Sequence, residues 1–130
     1  HRIVRLAESR LPEGNKLPRK VSPAQFHKVL DSMPPPRGRQ LDFLQAHYDS
    51  AGCVSTVSIL AEAVGYTNWN ALNLQYGLLA KRIAAALGTG TRHLGLLVEF
   101  SRPKSVTNEH WLLVMRPEFA QALKSAGWVR

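Results

Sequence analysis

One stretch of the chain places asparagine, glycine and lysine at the spacing of a single helix face. At about 100° per residue, Asn70, Asn73, Gly77 and Lys81 fall on one side of a helix. An asparagine amide forms paired hydrogen bonds with the edge of adenine, and a glycine lets another backbone approach closely. These residue types therefore predict a surface that reads nucleic-acid bases. Surface polarity is the alternative for the asparagines, and close helix–helix packing is the alternative for Gly77.

Positive and small polar side chains near this stretch fit contacts with phosphates. Lys81 and Arg82 lie beyond the asparagines and are expected to bind the DNA backbone. Arg102, Lys104 and Ser105 stand together in a polar segment and are expected to do the same. An ordinary solvated hairpin loop is the alternative for that segment.

The positive charge of the chain is concentrated in its first third. The 130 residues carry a formal net charge of +8, and residues 1–39 hold nine basic residues against three acidic ones. Residues 10–20 contain prolines and a glycine without an apolar period, which predicts a basic extended arm or linker over residues 1–21. Phosphate contacts, which release counterions, are expected from Arg19, Lys20, Arg37 and Arg39. A solvated linker that aids solubility is the alternative for the arm.

The other reactive residue types form no pattern of an active site or a metal site. The histidines are scattered, and the single cysteine Cys53 excludes an internal disulfide and a cysteine-based metal cage. No phosphate-binding glycine loop occurs, so the chain is predicted to be no enzyme and to need no cofactor. No apolar run approaches the roughly 18 residues of a membrane span, so no membrane partner is expected. The cysteine usage favours the cytoplasm.

Apolar periodicity and capping residues predict the elements that position these side chains. Helices are expected over residues 22–33, 37–49, 56–64 and 69–87 and from residue 117 onward, and strands over residues 94–100 and 110–115. Asn68 is predicted to cap the longest helix and is counted among the candidate DNA-binding residues. The inward residues of the third helix are expected to be Ile59, Leu60, Ala63 and Val64. The predicted fold class is mainly α with a small β-hairpin, and residues 22–130 form one domain.

The third and fourth predicted helices have the features of a helix-turn-helix unit. Ala61 is the small residue at which the helices cross, and Gly65 makes the turn. Ala71 and Leu74 fall where the second helix packs back. With a hairpin after the long helix and one extra helix at each end, the order resembles the winged helix-turn-helix family over residues 37–115. The resemblance implies that residues 68–87 enter the DNA major groove and that the wing tip, residues 101–109, contacts the backbone or the minor groove.

A longer stretch resembles a bacterial module attached to HNH-type restriction endonucleases. The stretch GYTNWNALNLQYGLLAKRIAAALG is followed by LGLLVEF and MRPEFAQALKSAGW, and the similarity spans residues 22–129. The matching pattern consists of Trp69, Ala71, Asn73, Tyr76, Gly77 and Leu79. The resemblance implies a DNA-targeting part of a restriction system that senses modified bases, with the nuclease in a fused or partner domain. Candidates for an aromatic pocket that holds the modification are Tyr66, Trp69 and Trp111, with a core role as the alternative.

These patterns together predict a module that binds double-stranded DNA, plain or modified, and has no catalysis of its own. A winged-helix module for protein–protein interaction, or a transcriptional regulator, is the alternative. Leu74 and Leu78 lie opposite the core side of the long helix, where either the hairpin or the terminal helix covers them or they contact a partner. Their exposure, together with an apolar wing, would favour the protein-interaction alternative. A small nuclease with an unrecognised site is a third possibility, and it predicts metal-dependent DNA cleavage by the isolated chain.

Overall fold

The computed structural model describes residues 21–88, 94–101 and 110–130, and this part forms five α-helices and a three-stranded antiparallel sheet. The helices are α1 (Pro23–Ser32), α2 (Arg39–Asp49), α3 (Val57–Ala63), α4 (Trp69–Leu87) and α5 (Pro117–Ser125). The strands are β1 (Val54–Thr56), β2 (Val98–Ser101) and β3 (Leu112–Met115). Short 3₁₀ turns cover Ala51–Cys53 and Leu94–Leu96. The predicted fold class, mainly α with a small β-hairpin, is confirmed.

Side-chain caps start three of the helices where the sequence predicted them. The hydroxyl oxygens of Ser22 and Thr56 and the side-chain oxygen of Asn68 each accept from a backbone N–H three residues ahead, at 3.1 Å. Such caps satisfy N–H groups that lack a partner within the helix. Gln25 completes a capping box by accepting from the Ser22 backbone N–H. The predicted capping role of Asn68 is therefore confirmed.

The turn between α3 and α4 has a defined hydrogen-bonded geometry. Gly65 has a φ of +83°, a conformation that favours glycine. Its N–H donates to the Glu62 carbonyl at 3.2 Å, and the Tyr66 N–H donates to the Ala61 carbonyl at 2.9 Å. These two bonds form a Schellman motif, which ends α3 and turns the chain into α4. Helices α3 and α4 pack against each other, as the predicted helix-turn-helix requires.

The inward face of α3 differs from the predicted one. Val57, Leu60 and Ala61 are buried, whereas Ile59 is 57 % exposed and Ala63 is exposed. The helix begins at Val57, directly after its cap, so the buried side starts there and recurs three and four residues later. The prediction for Ile59 and Ala63 was wrong because it counted the buried side of the helix from Ile59. The buried side is counted from Val57 instead.

The sheet contains one strand that the sequence did not predict, and both predicted strands are shorter than expected, since the one predicted over residues 110–115 starts only at Leu112. β3 lies in the centre, with β1 and β2 antiparallel on either side of it. The predicted strand over residues 94–100 starts only at Val98, because Leu94–Leu96 forms a 3₁₀ turn. Arg116 holds this turn: its Nε donates to the Gly95 carbonyl at 2.8 Å, and its Nη1 bonds Glu99 Oε2 at 3.1 Å.

One continuous core joins the helices and the sheet. Phe26 of α1 packs on Phe119 of α5 with ring centroids 5.3 Å apart. Phe43 of α2 packs on Tyr76 of α4 with ring centroids 4.8 Å apart. All four rings are almost completely buried, so both terminal helices share the core of the central unit. The face of α4 opposite Tyr76 is left for solvent or a partner.

Candidate nucleic-acid interface

The outer side of α4 carries the polar residues that the sequence assigned to it. Asn70, Asn73, Lys81 and Arg82 are exposed, and Gly77 is half-buried. The helix contains two basic residues and no aspartate or glutamate over its 19 residues. A phosphate backbone approaching this helix therefore meets no negative side chain on it. The prediction that the asparagines point outward is confirmed.

Two neighbouring stripes run along this side of the helix. Trp69, Asn73 and Gly77 form the first stripe, each four residues from the next. Asn70 is followed at the same spacing on the second stripe by Leu74, which is 59 % exposed, and by Leu78, which is 42 % exposed. The prediction that Leu74 packs back against α3 was wrong, because its position on α4 faces away from the core.

Gly77 is not explained by close packing. A Cβ atom built at this position meets no atom of the described residues within 4 Å. A glycine inside a helix costs about 1 kcal/mol relative to alanine, and no steric conflict here requires it. The close-packing alternative for Gly77 is therefore wrong within the described structure.

A cavity of about 270 Å³ opens between α4 and the sheet. The first stripe of α4 forms one wall, and Asn73 supplies an amide to it. The facing part of the lining includes Phe100, Leu113 and Trp111. The cavity thus unites aromatic rings from two sides with one amide side chain. Trp69 and Trp111, both predicted as pocket residues, do line the same cavity.

Tyr66, the third predicted pocket residue, lies apart from this lining. Its ring sits under the guanidinium of Arg39, whose central carbon is 5.1 Å from the ring centroid. This cation–π contact places the Arg39 charge beside the turn between α3 and α4. Arg37 and Arg39 are both exposed. Positive charge therefore borders the first residues of α4 from the start of α2.

Five of the predicted phosphate-binding residues lie outside the described part of the chain. They are Arg19, Lys20, Arg102, Lys104 and Ser105. The basic arm and the wing tip to which they belong are likewise outside it, apart from Val21 and Ser101. Their assignments stay predictions from the sequence.

A buried hydrogen-bonded histidine connects the two walls of the cavity. His47 Nε2 lies 2.8 Å from the Leu113 carbonyl oxygen on β3, and Nδ1 lies 2.9 Å from the Tyr76 hydroxyl on α4. Because a carbonyl only accepts, Nε2–H donates to it, and Nδ1 accepts the Tyr76 hydroxyl hydrogen. Burial lowers the pKa of His47, against the opposite effect of hydrogen bonds with the backbone of Leu113 and Cys53. Burial also raises the pKa of the Tyr76 hydroxyl far above its usual range.

The His47 network makes the fold sensitive to acid. The pKa of His47 is lower in the folded chain than the roughly 6.5 of an unfolded histidine, so the unfolded chain binds more protons. Above about pH 6.5, the neutral ring contributes fully to stability. This contribution is lost as the pH falls from about 6.5 through the lowered pKa of His47 in the folded chain. We expect urea midpoints to decrease between about pH 7.5 and 5.5, where histidine titrates. A His27→Gln variant serves as the control and should keep this decrease; a flat profile in the unmodified chain would contradict the assignment.

Sequence reasoning missed the far wall of the cavity and the histidine that links it to α4. Phe100 and Leu113 were treated as strand residues, and His47 as one of several scattered histidines. The spacing of Trp69, Asn73 and Gly77 could have indicated the α4 wall, since it places an aromatic ring, an amide and a position without a side chain along one stripe of the helix. The residues opposite this stripe depend on how the sheet packs.

Two further observations concern other kinds of site. Among the described residues, no group of three or more His, Cys, Asp or Glu side chains is arranged to hold a metal ion. In the same residues, every helix is too short or too polar to cross a membrane.

Comparison with known proteins gives no relative. No protein family, no curated protein and no solved structure matches the chain.

Proposed function

We propose that this chain is a double-stranded DNA-binding module in which α4 enters the major groove. The observation that carries the proposal is the composition of the outer side of α4. This 19-residue helix exposes two asparagines, a lysine and an arginine, and it contains no acidic residue. A major groove admits an α-helix, and its base edges pair with asparagine amides. The exposed Leu74 and Leu78 fit the apolar methyl groups of thymine in the same groove.

The charge distribution supports a polyanionic partner. The chain carries 17 basic and 9 acidic residues, and the excess is greatest before residue 40. In this proposal the basic arm, the wing tip and the arginines at the start of α2 neutralise phosphates. Asn70 and Asn73 read bases, whereas Lys81 and Arg82 fix the register of the helix on the backbone.

The biological setting follows from the resemblance to restriction-associated modules. In this proposal the chain targets a bacterial restriction or defence protein to DNA, with the nuclease in a fused or partner domain. The aromatic cavity beside Asn73 supports sensing of a modified base. The chain itself has no catalytic role and needs no cofactor. Because bacterial DNA lies in the cytoplasm, we place the protein there.

Exposed leucines on α4 favour a second candidate, a protein-docking module or a regulator that binds a partner subunit. Leu74 and Leu78 are large apolar side chains in the middle of the outer face. A titration of the isolated chain with a labelled duplex at two salt concentrations separates the candidates. DNA binding predicts an affinity that falls steeply with salt. A docking module predicts little DNA affinity at physiological salt, and metal-dependent cleavage would indicate a nuclease.

Substituting Asn73 is expected to change which DNA is preferred. Asn73→Ala removes an amide whose bidentate contact discriminates bases by about 1 to 3 kcal/mol. The affinity for the preferred duplexes should therefore decrease, while the affinity for the other duplexes stays nearly unchanged. Fluorescence anisotropy on a panel of plain and modified sequences measures both affinities.

A charged residue on the same helix, Lys81, provides the matched control for Asn73→Ala. Lys81→Ala is expected to weaken binding to all duplexes alike and to reduce the salt slope by about 1. An equal loss on every duplex after Asn73→Ala would show that Asn73 does not read bases.

A further inference from the structure

We propose that the cavity between α4 and the sheet receives one nucleobase taken out of the DNA stack. This inference rests on the proposed function, since it names what the DNA-binding surface holds. The wall formed by Trp69, Asn73 and Gly77 belongs to α4, and Asn73 is also exposed on its outer side. DNA lying along α4 therefore reaches the mouth of the cavity.

The size of the cavity excludes a methyl group as its main occupant. Its volume is about 270 Å³. One water molecule occupies roughly 30 Å³ of liquid, so the space is many times that of a small substituent. Pockets for drug-sized ligands begin near 300 Å³. An occupant between these limits has the size of a single base.

The lining selects a planar aromatic group with one polar edge. Trp69, Phe100 and Trp111 supply aromatic surface, and Leu113 adds apolar surface. A sugar-sized substituent would need many hydrogen-bond partners, whereas the side chains of this lining hold one amide, that of Asn73, besides the indole N–H groups of Trp69 and Trp111. Bases extruded from a duplex are held in this way, stacked between aromatic side chains and hydrogen-bonded along one edge.

Gly77 keeps the α4 wall open. A Cβ atom added at this position would have no described atom within 4 Å. Gly77→Leu therefore adds bulk at the cavity from a Cβ that contacts no described atom, and it replaces glycine by a better helix former. Ala85→Leu makes the same addition at an exposed position that does not line the cavity, which makes it the matched control.

The test compares the full chain on four duplexes of identical flanking sequence. The first is fully paired, the second has one unpaired base at its centre, the third has an abasic nucleotide there, and the fourth is paired with a modified base. An unpaired base needs no energy for unpairing, so base capture predicts tighter binding to the second duplex. Stacking on aromatic side chains predicts a gain of roughly 5- to 150-fold over the paired duplex.

The abasic duplex separates base capture from recognition of a bent backbone. It has the same interruption without the base, and we expect no gain on it. Gly77→Leu should reduce the ratio of unpaired-base to paired affinity to about one, while Ala85→Leu keeps the ratio of the unmodified chain. Binding should also quench tryptophan fluorescence, because two of the three tryptophans line the cavity and the third, Trp128, is buried.

The contrary results distinguish failure of this inference from failure of the proposed function. Equal affinity for the paired and unpaired-base duplexes would overturn the inference and leave the proposed DNA binding intact. So would an equal gain on the abasic duplex, or a gain confined to the paired duplex with the modified base. Absence of binding to all four duplexes would overturn the proposed function itself.

Discussion

Replacing His47 by leucine is expected to lower the free energy of unfolding by about 2 to 6 kcal/mol, since two buried groups each lose a partner at about 1 to 3 kcal/mol. These groups are the Tyr76 hydroxyl and the Leu113 carbonyl, at 2.9 and 2.8 Å from the ring. All three residues are 0 % exposed, so water does not replace the lost bonds. A domain is stable by only about 5 to 15 kcal/mol, which makes the loss a large share. Urea unfolding followed by circular dichroism measures it.

A second substitution distinguishes the hydrogen bonds from the packing of the ring. In the double variant His47→Leu, Tyr76→Phe, the unpaired hydroxyl is removed, so the total loss should be smaller than the sum of the two single losses. His27→Leu, at a half-buried position on α1, should change stability by less than about 0.5 kcal/mol. A His47→Leu chain as stable as the unmodified chain would contradict the role of this network.

The His47 network matters for the site because it joins the two sides of the cavity. Tyr76 is adjacent to Gly77 on α4, and Leu113 of β3 lines the cavity directly. The histidine thus holds the long helix and the sheet at a fixed separation from inside the core. A neutral ring satisfies both partners, because Nδ1 accepts the Tyr76 hydroxyl hydrogen. In a protonated ring Nδ1–H donates to the hydroxyl oxygen instead, so the Tyr76 hydroxyl hydrogen loses its acceptor and a charge is buried.

The long helix could be predicted from the sequence because both of its ends are set locally. Asn68 caps its start, and Gly88, with a φ of +75°, ends it, so the predicted range 69–87 agrees with α4. Its apolar phase also placed Asn70 and Asn73 on the outside. The outer half of the candidate site therefore followed from residues that lie within one segment of the chain.

The sheet could not be predicted as well, because its parts depend on distant partners. β1 has three residues and gains its conformation by pairing with β3, far away in the sequence. Leu94 and Leu96 alternate like strand residues, yet the Arg116 side chain holds the carbonyl between them and the segment turns. Phe100 and Leu113, on the far wall of the cavity, belong to this sheet, so their positions also depend on distant partners. Sequence spacing identifies the α4 stripe and gives no information about what faces it.

Removing charge from the arm or from the wing tip is expected to flatten the salt dependence of DNA binding. Three double variants each lose two positive charges. The first carries Arg19→Gln and Lys20→Gln, the second Arg102→Gln and Lys104→Gln, and the control carries Lys28→Gln and Lys124→Gln. Each phosphate contact contributes about 0.9 to the slope of log affinity against log salt, so the first two variants should each lose about 1.8. Anisotropy titrations over several salt concentrations measure the slope.

The control pair decides whether position or total charge matters. Lys28 and Lys124 are exposed on α1 and α5, which contribute no residue to the outer face of α4. Their removal lowers the net charge by the same amount as either test pair, yet it should leave the slope nearly unchanged, because the proposed arrangement gives neither lysine a phosphate contact. Equal flattening by all three pairs would mean that the excess of +8 acts as a diffuse field. Flattening by the arm and wing-tip pairs alone would show that phosphates contact those two segments, as the proposed DNA binding requires.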